Sequence, residues 1–212
     1  MDLTITYSSN ELENAIDYLE QTSYYYERKN YDHRFKWLMI SLHGALYGFC
    51  VLAVKGTSPT QTVYKSLDKV INNKGRLREA REIISKYYNV TDETYIDIYV
   101  QLSKGKLLDI YNVLERCQNE SDMRMFTDSK VLVLSEEQSL AIGKLVNHRN
   151  QFAHFKPMQY AITGDYDFSI VYPVLEVIRF LALESNNVMY YQEEQRVRVE
   201  NTFTRLCPKI NG

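Results

Sequence analysis

Proline and glycine are scarce in this chain, four and eight of its 212 residues. So few turn-formers argue against a sandwich or a barrel and for helices. Cysteine is scarcer: Cys50, Cys117 and Cys207 are odd in number, far apart and without metal-type spacing. Four scattered histidines and carboxylates would have to supply any metal site, so no metal and no cofactor is expected. The first residues lack the basic-then-apolar pattern of a signal peptide, which makes a reducing cytoplasm the expected location. A dominant charge is lacking too. A net charge of −2 and a pI near 6.1 exclude a generally basic nucleic-acid coat, though not a local phosphate site.

What is present is an ordinary globular composition, 45% hydrophobic and 25% charged. It shows no repeat, no low-complexity linker and no break that would argue for two domains. The expected architecture is all-α: a single helical-bundle domain over 1–212, its core at about 10–185 and a closing helix at 188–206. The β structure expected beside the motif helix described below is a short strand at 131–134, or a hairpin around 160–167 with a Gly164-Asp165 turn. Ser8-Ser9-Asn10-Glu11 reads as a capping box opening a helix to about Arg28, with Leu12, Ala15, Ile16 and Leu19 inward. Its end, Tyr24-Tyr25-Tyr26, belongs to a chain of 18 tyrosines. Tyrosines can stack on bases, but at a helix end they more often cap a core with their hydroxyls in water.

From Trp37 to Val54 there is no Asp, Glu, Lys or Arg, a run that just reaches the length of a membrane span. Ser41, His43, Gly44 and Gly48 are poor company for lipid, and a helix apolar all round is also what the centre of a bundle contains. A buried central helix over 35–55 is the expected reading, with the two glycines letting a neighbouring helix approach closely. His43 on such a helix is expected to be a hydrogen-bonded core residue, at most supporting a site from behind. Further helices are expected at 63–72, 76–86, 91–103, 106–118 and 171–185, with a loop at 121–129. In the basic 76–86 stretch, Glu79 and Glu82 among the arginines suggest intrahelical pairs on a solvated face. In 106–118, Leu107, Ile110, Tyr111 and Leu114 are expected to face inward.

The chemistry of the chain concentrates at 145–157. Ser135-Glu136-Glu137-Gln138 is a Ser-x-x-Gln capping box, and Pro157 disfavours helical geometry at Lys156. The helix between them, about five turns long, places Ile142, Leu145, Val146, Phe152 and Ala153 on one apolar stripe with Arg149 in its middle. A guanidinium keeps its proton, so it faces inward only with a partner or a ligand. Asn150 and His154, four apart, share a face. A permanent cation, an amide and a titratable base in one segment can handle a phosphate. On an ideal helix Arg149 and His154 lie roughly 140° apart. They meet if the helix end loosens, if the arginine stem curls round, or if a second chain supplies its own copy. The bare spacing is weak, because a dozen arginines and four histidines give about 0.7 chance occurrences. Arg28 and His33 repeat it in a polar stretch.

Arg149-Asn150-Gln151-Phe152-Ala153-His154 resembles the Arg-x(4–6)-His signature of the HEPN superfamily (higher-eukaryote and prokaryote nucleotide-binding domains). In that signature the residue after the arginine is typically polar, often Asn. The helix at 35–55 followed by Gly56-Thr57, with the motif far downstream, is similar to bacterial HEPN proteins of plasmids and mobile elements, over about residues 10–185. The resemblance implies an all-α bundle and, in many members, metal-independent RNase activity in toxin–antitoxin or anti-phage systems. It also implies a homodimer in which two motifs face each other. Arg149 and His154 match the catalytic pair and Asn150 the polar position. Members paired with a nucleotidyltransferase carry a tyrosine two residues after the histidine, where this chain has Lys156, so regulation through that tyrosine is not implied.

The expected function is therefore a metal-independent endoribonuclease, a toxin or defence effector. Metal-free cleavage uses the adjacent 2′-hydroxyl as nucleophile and needs a base, an acid and positive charge on the phosphorane. Histidine can serve as base or acid, and arginine fits phosphate oxygens in a bidentate way. Asn150 can orient the imidazole or donate to a phosphate oxygen. One histidine cannot easily be both acid and base in a turnover, whereas two copies across a two-fold axis can. The expected partners are an RNA substrate, a second copy of the chain and a cognate antitoxin, with no membrane. Competing readings are a catalytically silent HEPN module that binds RNA, a nucleotide or a protein, and a membrane-associated helix bundle. The residues taken alone also allow a buried ion pair from Arg149 to a core carboxylate, with His154 capping the helix end.

Overall fold

The computed structural model describes residues 9–56, 63, 78, 81, 82, 85, 86, 106–154 and 166–206. Seven helices order them: α1 (Glu11–Glu27), α2 (Arg34–Lys55), α3 (Ile110–Cys117), α4 (Glu120–Met123), α5 (Glu136–Ala153), α6 (Tyr172–Arg179) and α7 (Glu193–Leu206). Wider π-helical turns extend α6 at both ends, over Asp167–Val171 and Phe180–Glu184. The result is an all-α helical bundle, and the described residues form no β-strand.

The centre is α2, against which α1, α3, α5 and α6 all pack. Leu38, Leu42, Leu46, Phe49 and Ala53 of α2 are fully buried. By length and composition α2 could cross a membrane; in this fold its apolar surface lies against other helices. The closest approach is that of α1. A Cβ at Gly48 would stand 2.7 Å from the Ala15 Cβ and 3.2 Å from its Cα, and one at Gly44 would enter the Tyr18 ring. The glycine pair therefore does what its spacing suggested, and Leu12, Ala15, Ile16 and Leu19 are the buried face of α1.

Helix ends are fastened by polar side chains. Asn10, rather than the preceding serines, caps α1 by accepting the Glu13 N–H at 2.8 Å. At the other end Arg34 is buried and donates to the carbonyls of Tyr25 (3.1 Å) and Tyr26 (2.9 Å) and to the Tyr166 hydroxyl, with Asp167 at 3.8 Å. The Tyr26 hydroxyl meets that of Tyr172 at 2.6 Å, so this tyrosine is tied into the bundle rather than left in water. Arg198 of α7 grips α1 through Glu13 (2.8 Å) and Glu20 (2.7 Å).

Several sequence expectations need correcting. The segment 131–134 is not a strand. The flanking Lys130 N–H donates to the Ser185 carbonyl and the Leu132 N–H to the Cys117 carbonyl, both at 2.9 Å. These are carbonyls that helix ends leave without intrahelical partners, so the extended segment is held without a second strand. The 106–118 helix begins at Ile110, where Asp109 accepts the Asn112 N–H. Leu107 therefore precedes it and Tyr111 turns outward, both exposed, while Ile110, Val113, Leu114 and Cys117 are buried. The expected loop at 121–129 includes part of α4, and the helix expected from 171 starts at Asp167. The last helix starts at Glu193, because Asn187 is buried and bonded to Ser129 Oγ and the Met123 carbonyl, both at 2.7 Å, which holds the chain out of helix there. Arg78 and Glu82 form an exposed i,i+4 pair at 3.7 Å. The 91–103 helix and the 160–165 part of the hairpin lie outside the described residues, as does the 63–72 helix beyond Val63.

Gly48→Ala is expected to lower unfolding free energy. Overpacking against Ala15 costs about 1–3 kcal/mol, which outweighs a helix-propensity gain of about 1 kcal/mol. Gly143, on α5, has nothing within 4 Å of an added Cβ, so Gly143→Ala should keep that gain. Urea denaturation of the two variants beside the wild type reads the opposite signs.

Candidate functional site

The motif helix α5 is built as its sequence suggested at the start and differently at the end. Ser135 Oγ accepts the Gln138 N–H at 3.1 Å and Gln138 Oε1 accepts the Ser135 N–H at 3.0 Å, a complete capping box. Gln138 also donates to Glu176 at 3.1 Å and so ties α5 to α6. Ala141, Ile142, Leu145 and Val146 are buried. Past Val146 the stripe thins out. Phe152 is half-buried against Phe35, with ring centroids 6.0 Å apart, and Ala153, expected on the stripe, is exposed. The helix ends at His154, whose backbone N–H bonds the Asn150 carbonyl at 3.2 Å.

Arg149 comes one turn after Leu145 and Val146, half-buried, and turns toward α2. Its Nη1 donates to Asn150 Oδ1 at 3.0 Å, and among the described residues it makes no ion pair. The core-carboxylate reading of Arg149 therefore finds no partner there. Arg34 provides the contrast: its guanidinium is taken up by carbonyls, a hydroxyl and a carboxylate. His154 is exposed at the helix end, with no hydrogen bond or ion pair to Arg149. Arg149 and Asn150 are thus brought together within one chain, and His154 is left outside their contact.

The histidine that does face Arg149 is His43. Both line a cavity of about 300 Å³ between α1, α2 and α5, together with Asn14, Tyr18 and Tyr47. His43 was expected to be a hydrogen-bonded core residue. Instead neither ring nitrogen is hydrogen-bonded among the described residues, and the ring stacks on Tyr47 with centroids 6.3 Å apart. Burial, with the Arg149 charge adding to it, lowers its pKa to about 4, so it is neutral at physiological pH. His148, the residue before Arg149 on α5, is half-buried too. It meets Phe35 edge-on at 5.2 Å, its Nδ1 is buried without a hydrogen-bond partner among the described residues, and burial lowers its pKa. The sequence signal for His43 was its place on a charge-free helix beside Gly44, where a packed neighbour leaves a polar ring little choice but a gap.

A second polar–aromatic group sits at the α1–α2 turn. Tyr25 stacks with Tyr31 and Trp37, centroids 6.1 and 6.2 Å apart, while Arg28 lies 3.9 Å over Tyr24 and Lys36 5.0 Å over Trp37. Arg28 of the decoy spacing is thus engaged by an aromatic ring. Among the described residues no group of three or more His, Cys, Asp or Glu side chains is arranged around a metal-sized point.

The lowered pKa of His43 has a definite sign for stability. The unfolded chain takes up a proton near pH 6.5 and the folded chain near 4, so stability should fall as pH drops through this window, by up to about 3 kcal/mol. His43→Gln cannot take up that proton, so its unfolding free energy should decline less than the wild type's between pH 6.5 and 4. Parallel denaturant titrations measure the difference. Arg149→Met should raise the His43 pKa, read from the imidazole proton shifts. No family model, no curated protein and no solved structure matches the chain.

Proposed function

We propose that this chain is a HEPN-type, metal-independent endoribonuclease that works as a homodimer, in the role of a toxin or defence effector. The observation that carries the reading is Arg149, a half-buried guanidinium at the edge of a cavity, bonded to Asn150 and without a carboxylate among the described residues. Such a cation suits a phosphodiester, whose charge it can meet with two parallel N–H bonds. His154 is exposed at the end of the same helix and clear of its own Arg149, which leaves its ring accessible.

The reaction follows from the residue types. One His154 imidazole takes the proton of a ribose 2′-hydroxyl, whose oxygen attacks the adjacent phosphorus. Arg149 stabilises the charge that builds on the non-bridging oxygens, and Asn150 holds the guanidinium in place. The His154 of the second copy, in its protonated form, gives a proton to the leaving 5′-oxygen. The products are a 2′,3′-cyclic phosphate and a free 5′-hydroxyl. The separation of Arg149 from His154 within one chain favours a site completed across a two-fold axis.

The same separation supports one other reading, a silent module that binds RNA, a nucleotide or a protein without cutting. Mixed cellular RNA incubated in EDTA separates the two. The wild type is expected to cut and leave cyclic phosphate ends. Arg149→Ala should lose about 10²–10³-fold and His154→Ala about 10²–10⁴-fold in rate. Undiminished cleavage by both variants would remove this site, and binding without cleavage by the wild type would favour the silent module. Sedimentation equilibrium should give twice the chain mass of 25.0 kDa.

A further inference from the structure

The cavity between α1, α2 and α5 has its mouth at exposed Asn14 and Glu11, with half-buried Tyr18, His43 and Arg149 forming its wall. Glu11 is already neutralised by Lys55, so the uncompensated charge of the cavity is the cation. Among the described residues the Asn14 amide, the Tyr18 hydroxyl and the His43 ring make no hydrogen bond with another side chain, and Arg149 bonds Asn150 alone. Polar groups converging on a cavity are where a ligand site is first looked for. An anionic group belongs at Arg149, and a flat, hydrogen-bonding body belongs among the other three. At about 300 Å³ the space is at the small end of ligand pockets. It accommodates one nucleotide and is too small for a base pair.

We propose that this cavity is a subsite for one unpaired nucleoside monophosphate unit of single-stranded RNA, its phosphate on Arg149 and its base among Asn14, Tyr18 and His43. This rests on RNA being the substrate, and makes His43 and Asn14 specificity residues. Asn14 and neutral His43 each offer both a donor and an acceptor to a base edge, and sequence-specific readers of RNA commonly take splayed-out single bases in this manner. Tyr18 is fixed as part of the wall because its ring lies on Gly44, where any Cβ would displace it.

The test uses the full chain in EDTA and titrates the four nucleoside 3′-monophosphates, the four nucleosides and inorganic phosphate by calorimetry. At least one monophosphate should bind once per chain and at least ten-fold more tightly than inorganic phosphate or its own nucleoside. Arg149→Met should abolish binding of the monophosphate and of phosphate. Asn14→Ala and His43→Gln should each weaken the monophosphate ten-fold or more and leave phosphate unchanged, with melting curves establishing that both variants are folded. Monophosphates that bind no better than phosphate would overturn the proposal, as would Asn14→Ala and His43→Gln that bind like the wild type. Cleavage of RNA is scored separately. Binding that depends on Asn14 and Arg149 without cleavage keeps the subsite and removes the ribonuclease. Cleavage whose KM and base preference ignore Asn14 and His43 keeps the ribonuclease and removes the subsite.

Discussion

A helix with no charged residue between positions 37 and 54 has no side it can leave in water, and the arrangement of the bundle follows from that. α1, α3, α5 and α6 each bring one apolar face to α2, and α1 reaches it closely because Gly44 and Gly48 offer backbone where other residues would offer side chains. The fit is tight at both glycines, against Ala15 and against the Tyr18 ring, and the cavity lies beside them, bounded on α2 by His43 and Tyr47. α5 approaches the same place with its stripe running out, and after Leu145 and Val146 the next inward position is an arginine.

Two arginines therefore lie against the bundle interior in opposite electrostatic situations. Arg34 closes the carbonyl end of α1 and lies near Asp167, so its charge is spent on holding the α1–α2 turn to the start of α6. Arg149 has an amide for company and a neutral imidazole across a gap, and its field extends into the cavity. Burial alone does not separate an arginine whose charge is satisfied from one whose charge is left open. What separates them is whether the surrounding oxygens already satisfy the charge.

The helical class was legible because it depends on periodicity and on scarce turn-formers, both local properties. The inward face of α1, the capping box of α5 and the glycine seam on α2 could be read from spacing for the same reason. The position of Leu107 and Tyr111 could not, because the helix starts four residues later than its apolar spacing suggests, at the point where Asp109 caps it, which leaves Leu107 outside the helix and puts the inward face on Ile110, Val113, Leu114 and Cys117. The 131–134 segment has strand-like residues, but a strand exists only with a partner, and its hydrogen bonds go to helix ends instead. At the site, Arg149 and Asn150 are neighbours in the chain and could be paired from the sequence. His43 is more than a hundred residues away, and only the packing of α5 on α2 brings it to Arg149.

The composition of α2 also has a cost in time. Its cover on one side, α1, is made before it, but α5 begins roughly 80 residues after α2 ends, which at about 5–20 residues per second takes on the order of 4–16 s of synthesis. During that interval the growing chain presents the ribosome exit with the charge-free 37–54 stretch, of membrane-spanning length, while its partners α5 and α6 are still to come. Whatever receives nascent chains there, a chaperone or an insertion machinery, meets that segment before the later helices can cover it.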